Sequence, residues 1–283
     1  MRRASCGASI TSMPPSYSHE LGVAVHAAVT GGALIRAAAT TSTTHTFEEK
    51  RDASIVSEVD IASEQAILAM LRAAFPDDGI YAEESGQVGG ASGRLWVIDP
   101  LDGTTNFAAG IPQFSVSIGL LVDHEPVVGV VHAPMSYGLA TAVAGHGATY
   151  SGRPIHAEQS TPRNPIVAID VAYGSRAAAT RARAALDGAT SRIFENWSPA
   201  LDYVALATRR IDAIVCMGAE SEDKYPGLLI ALEAGCEIAL LDEQFRPSPW
   251  QWRAFERYMP WFVVATDRQT LAQIVAQLAN APA

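Results

Sequence analysis

The chain has 283 residues, with 30 acids against 20 bases and a formal charge of −10. With 48% hydrophobic and 18% charged residues it can bury a large core, which excludes general disorder. The acidic balance, with no basic run to offset it, argues against nucleic acid or an anionic membrane as partner.

Cys6, Cys216 and Cys236 are odd in number and lack C-x-x-C spacing, which argues against a disulfide framework or a zinc site and fits a cytoplasmic location. The seven histidines form no H-E-x-x-H pattern. Residues 1–17 have no apolar core of signal-peptide length and read as a flexible leader. No uninterrupted apolar run reaches the length of a membrane span.

Residues 19–39 are rich in alanine, with Leu21, Val25, Val29 and Leu34 at helical spacing, and predict a helix weakened or divided at Gly31-Gly32. A short strand or loop at 43–49 precedes residues 55–60, which lead into a second helix ending at Pro76-Asp77-Asp78-Gly79. A short strand at 80–82 runs into Glu83-Glu84-Ser85-Gly86 and a glycine-rich loop. Short apolar runs at 114–122, 127–132 and 139–143 predict an antiparallel meander. Polar, proline-containing residues 158–165 separate an N-terminal unit, 18–157, from a C-terminal unit, 158–283. The second unit alternates strands at 167–171, 192–195, 211–217, 237–241 and 261–265 with helices at 175–186, 199–208, 224–234 and 268–278. The loop at 247–260, with Trp250 and Trp252, has no predicted place. The alternation predicts a layered α/β or α+β sandwich.

Residues 96–107, WVIDPLDGTTNF, concentrate the chemistry. An apolar strand delivers Asp99 to its end, and Pro100, which has no N–H, should stop the pairing there. Gly103 permits the turn that follows. Asp99 and Asp102, three residues apart, present hard oxygens suited to Mg²⁺. The amides of Gly103, Thr104 and Thr105 can form an anion nest for phosphate. A bare D-x-x-D-G is equally a solvated surface turn.

The longer string DPLDGTTNF resembles the signature of the inositol monophosphatase family of metal-dependent phosphatases. The resemblance implies the α-β-α-β-α sandwich shared with fructose-1,6-bisphosphatase, an α+β fold, and a homodimer. It implies two or three Mg²⁺ ions, with Mn²⁺ as a substitute. Glu83, Asp99, the Leu101 carbonyl, Asp102 and Asp223 take the ligand positions, and Glu83 also bridges two ions. By residue type alone, Glu83-Glu84 is a solvated turn. Asp60 matches an aspartate that orients the motif threonine, here Thr104, toward the attacking water, and a helix N-cap role for Asp60 is compatible with that.

Two segments depart from the family pattern. Glu222-Asp223-Lys224-Tyr225-Pro226-Gly227 replaces W-D-x-A-A-G, although Asp223 keeps its ten-residue spacing to Glu233. Asp223 is expected just ahead of a helix, and Lys224 either competes with a cation or contacts phosphate. Cys216 stands where inositol phosphatases carry a glutamate that binds ring hydroxyls, with Glu220 as a surrogate. Gly103, Thr104, Asp102, Ser198, Cys216 and Glu220 form the substrate set, and Trp197 is either a pocket wall or core. The implied activity is a Mg²⁺-dependent phosphomonoesterase for a small phosphorylated polyol, sugar or cyclitol. The alternatives are histidinol phosphate, fructose bisphosphate or a 3′-phosphonucleotide as substrate, or a catalytically silent binding homologue.

Overall fold

A computed structural model describes residues 16–41, 47–49, 55–136, 138–157, 164–171, 176–218, 221–249 and 261–281. The leader at 1–15, Glu220, and Trp250 and Trp252 lie outside the described residues, as does most of the polar segment at 158–165.

The first helix, α1 (Ser18–Thr40), runs unbroken through Gly31-Gly32, contrary to the division expected. Each glycine costs about 1 kcal/mol of helix propensity relative to alanine. Tertiary packing overrides that cost. A Cβ on Gly31 would fall 2.6 Å from Ser63 Oγ of α2 (Glu58–Ala74), and one on Gly32 would fall 2.4 Å from the His132 ring. The two glycines therefore let α1 settle against its neighbours. By length and composition α1 also meets the requirement for a membrane span, contrary to the expectation that no segment would. Its alanine-rich face, Ala24, Ala27 and Ala28, is buried in the fold.

After the ribbon of β1 (Phe47–Glu49) and β2 (Ile55–Ser57), eight strands form one sheet. They are β3 (Gly79–Ala82), β4 (Gly86–Val88), β5 (Arg94–Asp102), β6 (Ser115–Val122), β7 (Glu125–Ala133), β8 (Gly138–Val143), β9 (Gly147–Tyr150) and β10 (Arg153–Ile155). Their order is β10-β9-β8-β7-β6-β5-β3-β4, so the predicted meander is present. Among the described residues, only β3 and β5 pair in parallel in this sheet. A second sheet has the order β12-β11-β13-β16-β14-β15, from β11 (Ile166–Val171), β12 (Arg192–Phe194), β13 (Ala213–Met217), β14 (Glu237–Leu241), β15 (Pro247–Ser248) and β16 (Trp261–Ala265).

Side-chain alternation along these strands builds the layers. From β5, Trp96 and Ile98 face Ile67 and Leu71 of α2, while Val97 faces the other way. Val97 and Leu121 meet α5 (Pro199–Ala207) and α6 (Ser221–Glu233), which also receive Ala168 and Ile214 from the second sheet. The far side of that sheet packs Val167, Ile169 and Val215 against α4 (Arg176–Leu186) and α7 (Arg268–Leu278). The result is the five-layer α-β-α-β-α sandwich.

The α6 helix lies unusually close to the first sheet. A Cβ on Gly129 would come within 2.5 Å of Pro226 O, and one on Gly119 within 3.0 Å of Pro226 Cγ. The helix begins at Ser221, three residues earlier than predicted, so Asp223 lies in its first turn and Pro226 in its interior. An interior proline denies a hydrogen bond to the carbonyl four residues back, here Glu222 O. Ser117 Oγ of β6 donates to that carbonyl at 3.2 Å. The sheet thus supplies a donor where the helix lacks one, and the helix start is tied to β6.

Candidate metal-dependent phosphatase site

Asp99 and Asp102 project from the end of β5, but pairing does not stop at Pro100. Asp99 pairs with Ser117, and pairing resumes with Asp102 opposite Ser115. Three steps on β5 thus face two on β6, which is a one-residue bulge. Residues three apart on a regular strand point to opposite faces, and one extra residue restores them to the same side. The bulge carbonyl, Pro100 O, accepts from Ser63 Oγ of α2 at 2.9 Å.

Both aspartates are buried, at 3% and 2% exposure. Asp99 Oδ1 accepts from the Leu101 amide at 2.9 Å. Asp102 Oδ2 accepts from Ser198 Oγ at 2.6 Å, Ser115 Oγ at 2.9 Å and the Ala200 amide at 3.1 Å. Burial nevertheless pushes Asp102 up to about 6, against the lowering effect of Ser198, Ser115 and Lys224. Gly103 has φ of +96°, and a Cβ there would lie 3.0 Å from both Gln113 O and Ser198 Cβ. Conformation and space both require glycine at this turn. The short helix α3 (Thr104–Ala108) starts directly after it.

Glu83 follows β3, whose parallel pairing sets Ala82 opposite Ile98, and the Glu83 amide donates to Ile98 O at 3.1 Å. Glu83 and Asp99 therefore leave adjacent strand ends, which sit about 4.8 Å apart in a sheet. The turn after Glu83 is held by Glu64 of α2, which accepts from the Glu84 amide at 2.9 Å and from Ser85 Oγ.

Asp60 is fully buried. The N-cap of α2 is Ser57, and Asp60 is the third helical residue, closing a reciprocal capping box. Its Oδ2 accepts from the Ser57 amide at 2.9 Å, and its Oδ1 lies 2.9 Å from Thr104 Oγ1. The Thr104 hydroxyl also lies 3.0 Å from Leu101 O. Burial raises the Asp60 pKa above the ordinary aspartate value, partly offset by these donors.

The backbone places Asp223 one residue after the carbonyl held by Ser117, the cross-strand partner of Asp99. The Asp223 side chain is outside the described residues. Lys224 is buried and forms a 2.7 Å ion pair with Asp170 of β11, so its charge is answered within the protein. Cys216, expected in the substrate set, is instead fully buried on β13 in the core cluster of Tyr203, Tyr225 and Phe262, so its thiol presents no surface to a ligand. Tyr225 is core, whereas Trp197 is 59% exposed and is not core.

Several residues at this site were missed by sequence reasoning. Ser63 and Glu64 follow Asp60 at i+3 and i+4, one polar and buried stripe on α2. That spacing on an otherwise apolar helix face was a readable signal. Asn106 links two segments through Nδ2, donating to Gln113 O at 2.7 Å and Asn196 O at 2.6 Å. Asp170 and Asp202 carried no local signal. Asp202, in the first turn of α5, is buried, and its pKa is raised well above the usual range by desolvation and then by Asp170.

Every donor that these aspartates and Glu83 offer is an oxygen, the chemistry of a hard divalent cation. Among the described residues no three acidic, histidine or cysteine side chains converge on one point.

The profile of the inositol monophosphatase family matches residues 17–282. The inositol-1-monophosphatase of Synechocystis is 34% identical over 200 residues, covering 69% of this chain and 70% of that protein. A Pasteurella multocida protein named Nus factor SuhB is 36% identical over 188 residues, covering 64% and 69%. Among solved structures, an inositol monophosphatase from Anabaena superposes with a TM-score of 0.78 at 29% identity, covering 93% of this chain and 96% of that one. The layered fold and these relatives define a phosphatase of a generally metal-dependent class. The chain belongs to the inositol monophosphatase family.

Proposed function

We propose that the protein is a Mg²⁺-dependent phosphomonoesterase acting on a small phosphorylated polyol, sugar or cyclitol. The observation that carries this reading is the Asp60–Thr104 hydrogen bond beside the β5 bulge. Glu83, Asp99, the Leu101 carbonyl, Asp102 and Asp223 are the proposed ligands. Bound there, Mg²⁺ would supply a water of lowered pKa and charge neutralisation for phosphate and leaving oxygen. Asp60 takes the Thr104 proton into its hydrogen bond, which leaves Thr104 Oγ1 as an acceptor that orients the attacking water. The amides of Gly103 and Thr104 cradle the phosphate oxygens. Ser198 and Ser115 hold Asp102 in one rotamer. With Lys224 engaged by Asp170, phosphate affinity rests on metal and amides. The protein is expected to be a homodimer.

The substrate reading rests on position 216. A buried thiol cannot grip a vicinal diol as a carboxylate does, so myo-inositol 1-phosphate is expected to be a poor substrate. The test is a phosphate-release screen over sugar, inositol, histidinol and nucleotide phosphates, with Mg²⁺ and with EDTA. Asp99→Asn should lower kcat/KM at least a hundredfold. Turnover that survives EDTA, or an Asp99→Asn enzyme near the wild-type rate, would sink the proposal.

A further inference from the structure

Trp197 combines two unfavourable features at one position. Its backbone is left-handed, with φ of +54°, a conformation that residues with a Cβ resist. Its side chain is also the most exposed of the large hydrophobics among the described residues, so burial does not compensate. The flanking residues are buried and fixed. Asn196 O accepts from Asn106 Nδ2 at 2.6 Å, and Ser198 Oγ donates to Asp102 Oδ2 at 2.6 Å. Ser198 packs directly on Gly103, the turn proposed to hold phosphate. The chain is therefore pinned to the site on both sides of Trp197, and the indole stands at the surface between the two pins. Strain of this kind persists where neighbouring structure enforces it, and it gathers at ligand-contacting positions.

We propose that Trp197 is a specificity-determining residue whose indole stacks on the leaving group. The preferred substrate is then a phosphomonoester whose leaving group is a ring with an apolar C–H or π face, not an open chain. This deepens the phosphatase reading and rests on it. An indole offers a broad apolar surface to such a face, while position 216 offers no carboxylate to ring hydroxyls.

The experiment compares wild type, Trp197→Gly and Trp197→Phe with phenyl phosphate and glycerol 2-phosphate. The ratio of the two kcat/KM values within each protein cancels general losses. In Trp197→Gly the phenyl-to-glycerol ratio should fall roughly three- to tenfold, the range of one aromatic contact, and chiefly through KM. Trp197→Phe should restore most of it. Glycine relieves the left-handed backbone, so the melting temperature of Trp197→Gly should be unchanged or higher. A purely structural tryptophan would give a lower Tm and an unchanged ratio, which would overturn the proposal. So would equal losses on both substrates, or a change in oligomeric state with the ratio intact. A second readout does not need turnover: calorimetric binding of phenylphosphonate in Mg²⁺. If no phosphomonoester is hydrolysed, the phosphatase reading fails. Weaker phenylphosphonate binding to Trp197→Gly would still support the stacking role, and equal binding would refute it.

Discussion

Replacing Ser198 by alanine tests how the fold tunes Asp102. The substitution removes the 2.6 Å bond to Oδ2 and leaves the donors Ser115 Oγ and Ala200 N. A hydrogen bond to a charged group contributes about 1.5–3 kcal/mol. That bond favours the carboxylate form, so its loss moves the Asp102 titration upward from about 6. A cation then has to displace a proton that is held more tightly. Proton competition at pH 7 should then weaken cation affinity by roughly two- to fifteenfold, and the midpoint of its pH dependence should rise by about one to two pH units. Calorimetric titration of Mg²⁺ or Mn²⁺ between pH 6 and 8.5, on wild type and variant, measures both quantities. Equal affinities with the same pH midpoint would refute the claim that Ser198 holds Asp102 ready for metal.

Other predictions come from the same contacts. Ser117→Ala removes a buried donor to the Glu222 carbonyl behind Pro226, and should cost about 1–3 kcal/mol in urea unfolding. Asp60→Asn and Thr104→Val break one hydrogen-bonded unit, so each should lower kcat, and the double variant should fall little further than the worse single one. Without metal, stability should depend on pH in a stated direction. Asp102 titrates at about 6 when folded and 3.8 by its reference value, so its contribution is fullest below 3.8 and is lost as pH rises through 6. The upper bound of that loss is on the order of 3 kcal/mol, and Asp60 and Asp202 shift in the same direction. Metal-free melting temperatures should therefore fall as pH rises from about 4 to about 6.5, and saturating divalent cation should flatten the trend.

Whatever depends on neighbours in the chain was legible in the sequence. The strand before Asp99 and the left-handed turn at Gly103 follow from local propensities and side chains a few residues apart, whereas the cap of α2 is Ser57 and not Asp60, which sits at the third helical position and closes the capping box. The alternation of Trp96, Val97 and Ile98 already contained the two faces of a buried sheet. Tertiary structure decided the rest, because the interactions concerned span tens of residues. Gly31-Gly32 reads as a break until α2 and His132 occupy the space a Cβ would need. Pro226 reads as a first-turn proline until Ser117, 105 residues from Glu222, bonds the carbonyl it strands. Pro100 reads as a strand end until β6 pairs again at Ser115 and turns Asp102 to the side of Asp99. Lys224 reads as a charge beside a metal until Asp170, 54 residues away, takes it up. A local pattern states what a residue can do, while the partner that satisfies a buried polar group, or the atom that fills the space beside a glycine, is chosen only when distant segments pack.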